Sequence, residues 1–115
     1  MTTDESPPGN DGGADNVDDL EMIKVTHDHL LKQALRITQP VEGYRVGSDA
    51  VLLAASVSTE SGRILDLGAG VGGISLCIAR RLAEVQITAL EKDTDIAELA
   101  GINITDNGFA SRIRL

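Results

Sequence analysis

The sequence predicts an α/β protein, a doubly wound, largely parallel sheet of which these residues supply only the first half. Three observations carry that expectation. "RILDL" and "VQITALE" are short apolar or alternating runs of strand length; each is followed by a segment of helical periodicity; and a further run, "RIRL", opens a third strand at the carboxyl end. Strand, helix, strand, helix, strand with tight connections implies parallel pairing through right-handed crossovers. Three parallel strands leave an edge and a face uncovered, so more chain, a partner or self-association along the sheet edge is expected.

The elements follow in order. Residues 1–21 hold seven acids and no Lys or Arg, with Pro7, Pro8 and several glycines but almost nothing to bury. Ordering such a segment would go uncompensated, and a disordered acidic leader is expected there. The leader accounts for nearly all of the formal charge of -8, because the remaining 94 residues carry 11 acids and 10 bases. Global acidity therefore excludes no anionic partner for the folded part.

Residues 22–60 are expected to form an amino-terminal hairpin and a helix. "ALRITQP" alternates Leu35 and Ile37 against Arg36 and Thr38, the period of a half-buried strand, and Pro40 ends it. After "EGYR", Ser48 is the expected N-cap of "DAVLLAASV", which is apolar around its circumference and so reads as a buried helix. Gly62 is expected to break the chain after this helix, and residues 61–115 are expected to form the first half of the cofactor-binding sheet domain. In "GGISLCIARRLA", Ile74, Cys77, Ile78 and Leu82 share a helical face and Arg80 and Arg81 point outward. Val85, Ile87 and Ala89 mark the inner face of the second strand. Thr94 is the expected cap of a helix bearing Ile96, Leu99 and Ala100 and ending at Asn107-Gly108.

Two aromatic residues, Tyr44 and Phe109, leave core packing to aliphatic side chains. A single cysteine, Cys77, excludes an intramolecular disulfide and suits a reducing compartment. No run of about 18 apolar residues exists, so a cytoplasmic protein with no membrane contact is expected. His27-Asp28-His29 offers two imidazoles without a cysteine cluster, too few for a zinc site, and no metal is expected. Between residues 24 and 45, Lys24, Lys32, Arg36 and Arg45 outnumber Asp28 and Glu42, compatible with an RNA backbone but better read as a solvated face.

"ILDLGAGVGG" is the stretch with chemistry in it. Gly68, Gly70 and Gly73 fit G-x-G-x-x-G at a strand-to-helix turn, which gives a tight bend, close approach of a ligand and amides at a helix start. Gly72 also gives G-x-G-x-G with Gly68 and Gly70. Glu91 closes the next strand, where a carboxylate would meet ribose hydroxyls. Asp66 separates two ligands. A dinucleotide's pyrophosphate would be repelled by it, whereas S-adenosylmethionine brings an ammonium and a sulfonium. A carboxylate that only fixes the turn's amides is the plain structural alternative.

"ILDLGAGVGG", "ALEKD" and "GYRVGSDAVLLAA" together resemble the class I S-adenosylmethionine-dependent methyltransferases, with their Rossmann-like fold. More narrowly, "TQPVEGYRVGSDAVLLAA" with "DLGAGVGGISLCIARR" is similar to the bacterial tRNA adenine-N6 methyltransferases acting on position 37 of a valine tRNA, over residues 26–115. That resemblance implies S-adenosylmethionine as cofactor and tRNA as partner. Gly68, Gly70 and Gly72 would cradle the methionine part, Asp66 attract its ammonium, and Glu91 hold the ribose, with Lys92 beside the adenine. Tyr44, Arg45 and Asp49 match the segment that folds over the cofactor, where Arg45 would face the cofactor's carboxylate and Asp49 would hold the lid.

Departures from the family bear on the structure. Relatives often carry Gly-Gly where this chain has Lys32-Gln33, which puts the hairpin geometry in question. Gly101 stands in mid-helix, and Ile102 beside it is expected to be exposed or to meet a partner. The family's acceptor motif, Asn-Pro-Pro-Tyr or Phe, is absent from these residues. Such a motif accepts the amino hydrogens of an adenine taken out of its stack. Alone, residues 1–115 are expected to bind cofactor poorly and not to turn over. Two other readings remain open at the level of sequence: a nicotinamide-dependent oxidoreductase, and a non-catalytic truncated binding module.

Overall fold

A computed structural model describes residues 17–20 and 23–115 of the chain. The expected disordered leader lies outside the described residues except at its end, where Val17–Leu20 form an edge strand, β1. It pairs antiparallel with β2 (Ile23–Leu30), which pairs antiparallel with β3 (Leu35–Pro40). Backbone pairing with β2 gives these four residues partners that their composition did not promise.

The hairpin turn between β2 and β3 is unusual. Leu31, Lys32 and Gln33 all take positive φ, at 52°, 52° and 72°. Each carries a Cβ that the left-handed region disfavours, so the tip holds strain that Gly-Gly in place of Lys32-Gln33 would relieve at two of the three positions. Leu35 and Ile37 on β3 are buried as expected and Arg36 is exposed, but Thr38, expected on the exposed side, is buried, with the Asn103 side chain bonded to both of its backbone groups; Pro40 ends the strand as expected.

Helix α1 (Ser48–Ala55) starts from Gly47 in extended conformation, with no side-chain cap. Ser48 is thus the first helical residue and not the cap. The expectation of a buried helix also fails: α1 buries Ala50 and Ala54 while Leu52 and Leu53 remain exposed. An apolar circumference permits burial on every side, but α1 packs on α2 (Gly73–Arg81) along one stripe only.

The second sheet is parallel, in order β4 (Ser61–Leu67), β5 (Glu84–Leu90), β6 (Ile113–Arg114). Ile64 pairs with Ile87, and Ile87 with Ile113. Gly62, expected to break the chain, lies inside β4 opposite Val85, because its φ of 107° is accommodated at the strand's start. One face of β5 is buried through Val85, Ile87 and Ala89, as expected. On the other face of the sheet Leu65 and Leu67 of β4 and Leu90 of β5 are exposed. Helix α2 joins β4 to β5 and buries Leu76, Cys77, Ile78 and Ala79, while Arg80 and Arg81 lie outside.

Helix α3 (Thr94–Asp106) joins β5 to β6. Its cap is Asp93, one residue before the expected Thr94: the Asp93 carboxylate accepts from the amides of Asp95 and Ile96 at 3.0 and 3.2 Å. Leu99 and Ala100 are buried, and Gly108 at φ 78° ends the helix region. Ile102 is half-buried against the core and not exposed, since α3 turns this side inward. A Cβ on Gly101 would meet only Leu115 Cδ2, at 3.8 Å.

Asn103 and Asn107 tie α3 to the antiparallel sheet. The Asn107 side chain accepts from the Arg36 amide at 2.8 Å and donates to its carbonyl at 2.7 Å, as Asn103 does for Thr38. Two amides one helical turn apart thus extend β3 by pairing with alternate residues.

Candidate cofactor-binding site

The glycine loop sits where β4 ends and α2 begins. Gly68, Gly70 and Gly72 take φ of 70°, 61° and 95°, values that L side chains rarely adopt. A Cβ built on Gly68 or Gly70 meets nothing within 4 Å, so beyond the backbone requirement there is open space beside both. Gly72 caps α2 and its amide closes the turn onto the Ala69 carbonyl at 3.0 Å. Gly73 is required for another reason: a Cβ there would lie 2.8 Å from both Val46 methyls. Val46 therefore packs the segment before α1 directly onto the start of α2.

Two hollows flank the loop. One is lined by Tyr44, Val46, Ala50, Gly68, Gly70 and Ile96 among others. The second is lined by Gly68, Leu90, Glu91 and Lys92. They share Gly68. Of the residues singled out from sequence, the glycines, Tyr44, Glu91 and Lys92 thus meet around one loop.

Asp66 lies two residues before Gly68 and is 9% exposed. It lines neither hollow. Its Oδ2 accepts from the Ser75 hydroxyl at 2.6 Å, within the first turn of α2. The negative charge sits near the positive end of that helix, a favourable place for it. Glu91 is held by main chain: Oε1 accepts from Gly70 N–H at 2.8 Å and Oε2 from Asp93 N–H at 3.1 Å. Lys92 is exposed.

Tyr44 donates its hydroxyl to Asp49 Oδ2 at 3.1 Å, and this bond to a carboxylate raises the phenol's pKa above its ordinary value. The pair ties the segment before α1 to the helix's first turn. Arg45 corrects an expectation. Its guanidinium turns away from the loop into the hairpin, donating to the Pro40 carbonyl at 2.5 Å, Thr26 Oγ1 at 3.1 Å and Asp28 Oδ2 at 3.2 Å. The hairpin supplies three acceptors at once, and that outcompetes a role facing the loop. Burial pushes the Asp28 carboxyl up, but bonds from Thr26 and Gln39 and the Arg45 charge prevail and hold it below the ordinary value.

Sequence reading missed Ser75, Val46 and Asn103. Ser75 is the one hydroxyl in "GISLCIARR" and is fully buried, a polar residue where core was expected. Val46 gave no signal. Burial raises the Cys77 thiol pKa, in keeping with a core residue. Among the described residues there is no group of three or more His, Cys, Asp or Glu able to hold a metal ion, and no helix is long and apolar enough to cross a membrane. His27 Nδ1 lies 3.0 Å from Thr38 Oγ1.

Comparison with known proteins bears on this arrangement. Residues 44–115 match the methyltransferase small domain family. Over 72 residues the chain is 43% identical to the tRNA1(Val) (adenine(37)-N6)-methyltransferase of Bacteroides fragilis, a match covering 62% of this chain and 30% of that protein. The protein of the same name from Tolumonas auensis is 36% identical over 91 residues, covering 77% of this chain and 38% of that one. This chain thus spans about a third of the length of the curated relatives it matches. In fold it is similar to P. horikoshii TYW2, solved in complex with MeSAdo, with a TM-score of 0.66 and 24% identity over 78% of this chain and 34% of that one. With the family match covering the glycine loop, all of the parallel sheet and every lining residue of the two hollows except Pro40, this chain belongs to the methyltransferase small domain family.

Proposed function

We propose that this chain is the cofactor-binding portion of an S-adenosylmethionine-dependent methyltransferase acting on adenine N6 in tRNA. The observation that carries the reading is a buried carboxylate, Asp66, directly beneath a loop whose three glycines hold positive φ, with a second carboxylate, Glu91, at the end of the neighbouring strand. The relatives named for tRNA adenine-N6 methylation support the acceptor class.

The residues fit the cofactor. Open space beside Gly68 and Gly70 admits close backbone approach, and the hollows meeting at Gly68 suit a ligand longer than either. Asp66 would hold the ammonium, Gly68, Gly70 and Gly72 the methionyl part, and Glu91 the ribose hydroxyls, with Lys92 beside the base. When bound, the cofactor supplies a methyl group activated by its sulfonium. Tyr44, fixed by Asp49, forms part of the wall of the opposite hollow. Arg45 acts at a distance, clamping the hairpin that carries this wall. A buried negative charge at the loop disfavours the pyrophosphate of a nicotinamide cofactor. Residues 1–115 hold no Asn-Pro-Pro-Tyr, so the acceptor's amino group would be gripped by residues outside them.

A side-by-side thermal shift of the full-length protein tests the assignment. S-adenosylhomocysteine is expected to raise Tm and NADH to leave it unchanged; the reverse order would overturn the reading.

A further inference from the structure

Ser75 does something that helix packing does not require. It is the third residue of α2, fully buried, on a helix whose other inward side chains are apolar. Alanine there would suit both helix and core better, since a buried hydroxyl is costly unless bonded. Its hydroxyl donates to Asp66 Oδ2 at 2.6 Å. Asp66 Oδ1, on a residue only 9% exposed, accepts no hydrogen bond from the described residues. One carboxylate oxygen is therefore fixed, and the other has no hydrogen-bond partner among the described residues.

The contrast with Glu91 is informative. Both Glu91 oxygens receive main-chain N–H groups, so the loop itself sets their orientation. Asp66 has no such main-chain anchor, and the terminal torsion of an Asp side chain is broad and roughly two-fold. Ser75 is what breaks that symmetry. It also bridges the end of β4 to the start of α2, on either side of the glycine loop.

We propose that Ser75 is a positioning residue for ammonium recognition: its buried hydroxyl holds Asp66 so that Oδ1 meets the ammonium of the ligand's amino-acid end. This rests on S-adenosylmethionine being the cofactor. A mere staple between strand and helix would support every part of the ligand equally, whereas a positioning role concerns only the ammonium.

Calorimetric titration of the full-length protein with S-adenosylhomocysteine and with methylthioadenosine, which lacks the amino-acid end, separates the two. Ser75→Ala is expected to weaken S-adenosylhomocysteine about tenfold and to change methylthioadenosine by no more than about twofold, the scale of one charge-assisted hydrogen bond. Ser75→Cys keeps the volume with a weaker donor and is expected to fall between; it carries the same comparison if Ser75→Ala does not fold. Equal losses for both ligands, or no loss for either, would overturn the positioning role. Wild-type protein that binds neither ligand would overturn the cofactor assignment first, and the role of Ser75 with it.

Discussion

Asn103 on α3 pairs with both backbone groups of Thr38 on β3. Its Oδ1 accepts from Thr38 N–H at 2.7 Å and its Nδ2 donates to the Thr38 carbonyl at 2.9 Å. The same Nδ2 donates to the Val71 carbonyl in the glycine loop, also at 2.9 Å. A single amide, 1% exposed, thus fastens the antiparallel sheet to the loop.

Asn103→Ala would leave three buried main-chain groups without that partner. The expected cost is about 3 kcal/mol, read as a lower urea midpoint with unchanged m-value. Asn103→Asp is expected to be at least as damaging, because a carboxylate cannot donate to the carbonyls of Thr38 and Val71.

Gly73 and Val46 are coupled by contact. Gly73→Ala places a methyl where two Val46 methyls stand at 2.8 Å, and overpacking of this kind costs about 1–3 kcal/mol. Val46→Ala in the same chain is expected to recover much of that loss. A double-mutant cycle with no coupling energy would contradict the contact.

The hairpin tip is predicted to be improvable. Gln33→Gly relieves a left-handed residue at φ 72° and is expected to stabilise by about 1 kcal/mol in thermal or urea melts. Loss of stability would mean that the Gln33 side chain makes up for the strain.

Asp28 gives an acid-dependent contribution. Its carboxyl is held below its ordinary value of 3.8, with Arg45 3.2 Å away. The stabilisation is therefore complete at neutral pH and drains away as pH falls below 3.8 through the folded value. Wild type is expected to exceed Asp28→Asn in stability at pH 7, and the gap is expected to close in acid. A gap that is constant across an acid series of urea melts would contradict this.

The parallel sheet and its helices were legible because period and punctuation agree there: alternating Val85, Ile87 and Ala89, helical spacing in α2, and Asn107-Gly108 at the end of α3. The glycine loop and Glu91 were legible for the same local reason. What failed was set by distance or by single-residue competition. Arg45 finds Asp28 and Thr26, 17 and 19 residues away, and although a hairpin was expected here, no local pattern says which side chains it brings to Arg45. Asn103 reaches back 65 residues to Thr38. Asp93 and Thr94 are both able to cap, and the carboxylate reaches the amides first. The uniform apolarity of α1 said that burial was permitted, not which side would receive it.

The proposed function rests on the buried charge of Asp66 selecting a cationic ligand. Asp66→Asn keeps the shape and the acceptor for Ser75 while removing the charge. Calorimetry on the full-length protein should then show S-adenosylhomocysteine bound at least about tenfold more weakly than by wild type, with NADH bound no more weakly than before. Unchanged affinity for S-adenosylhomocysteine in Asp66→Asn would contradict the account.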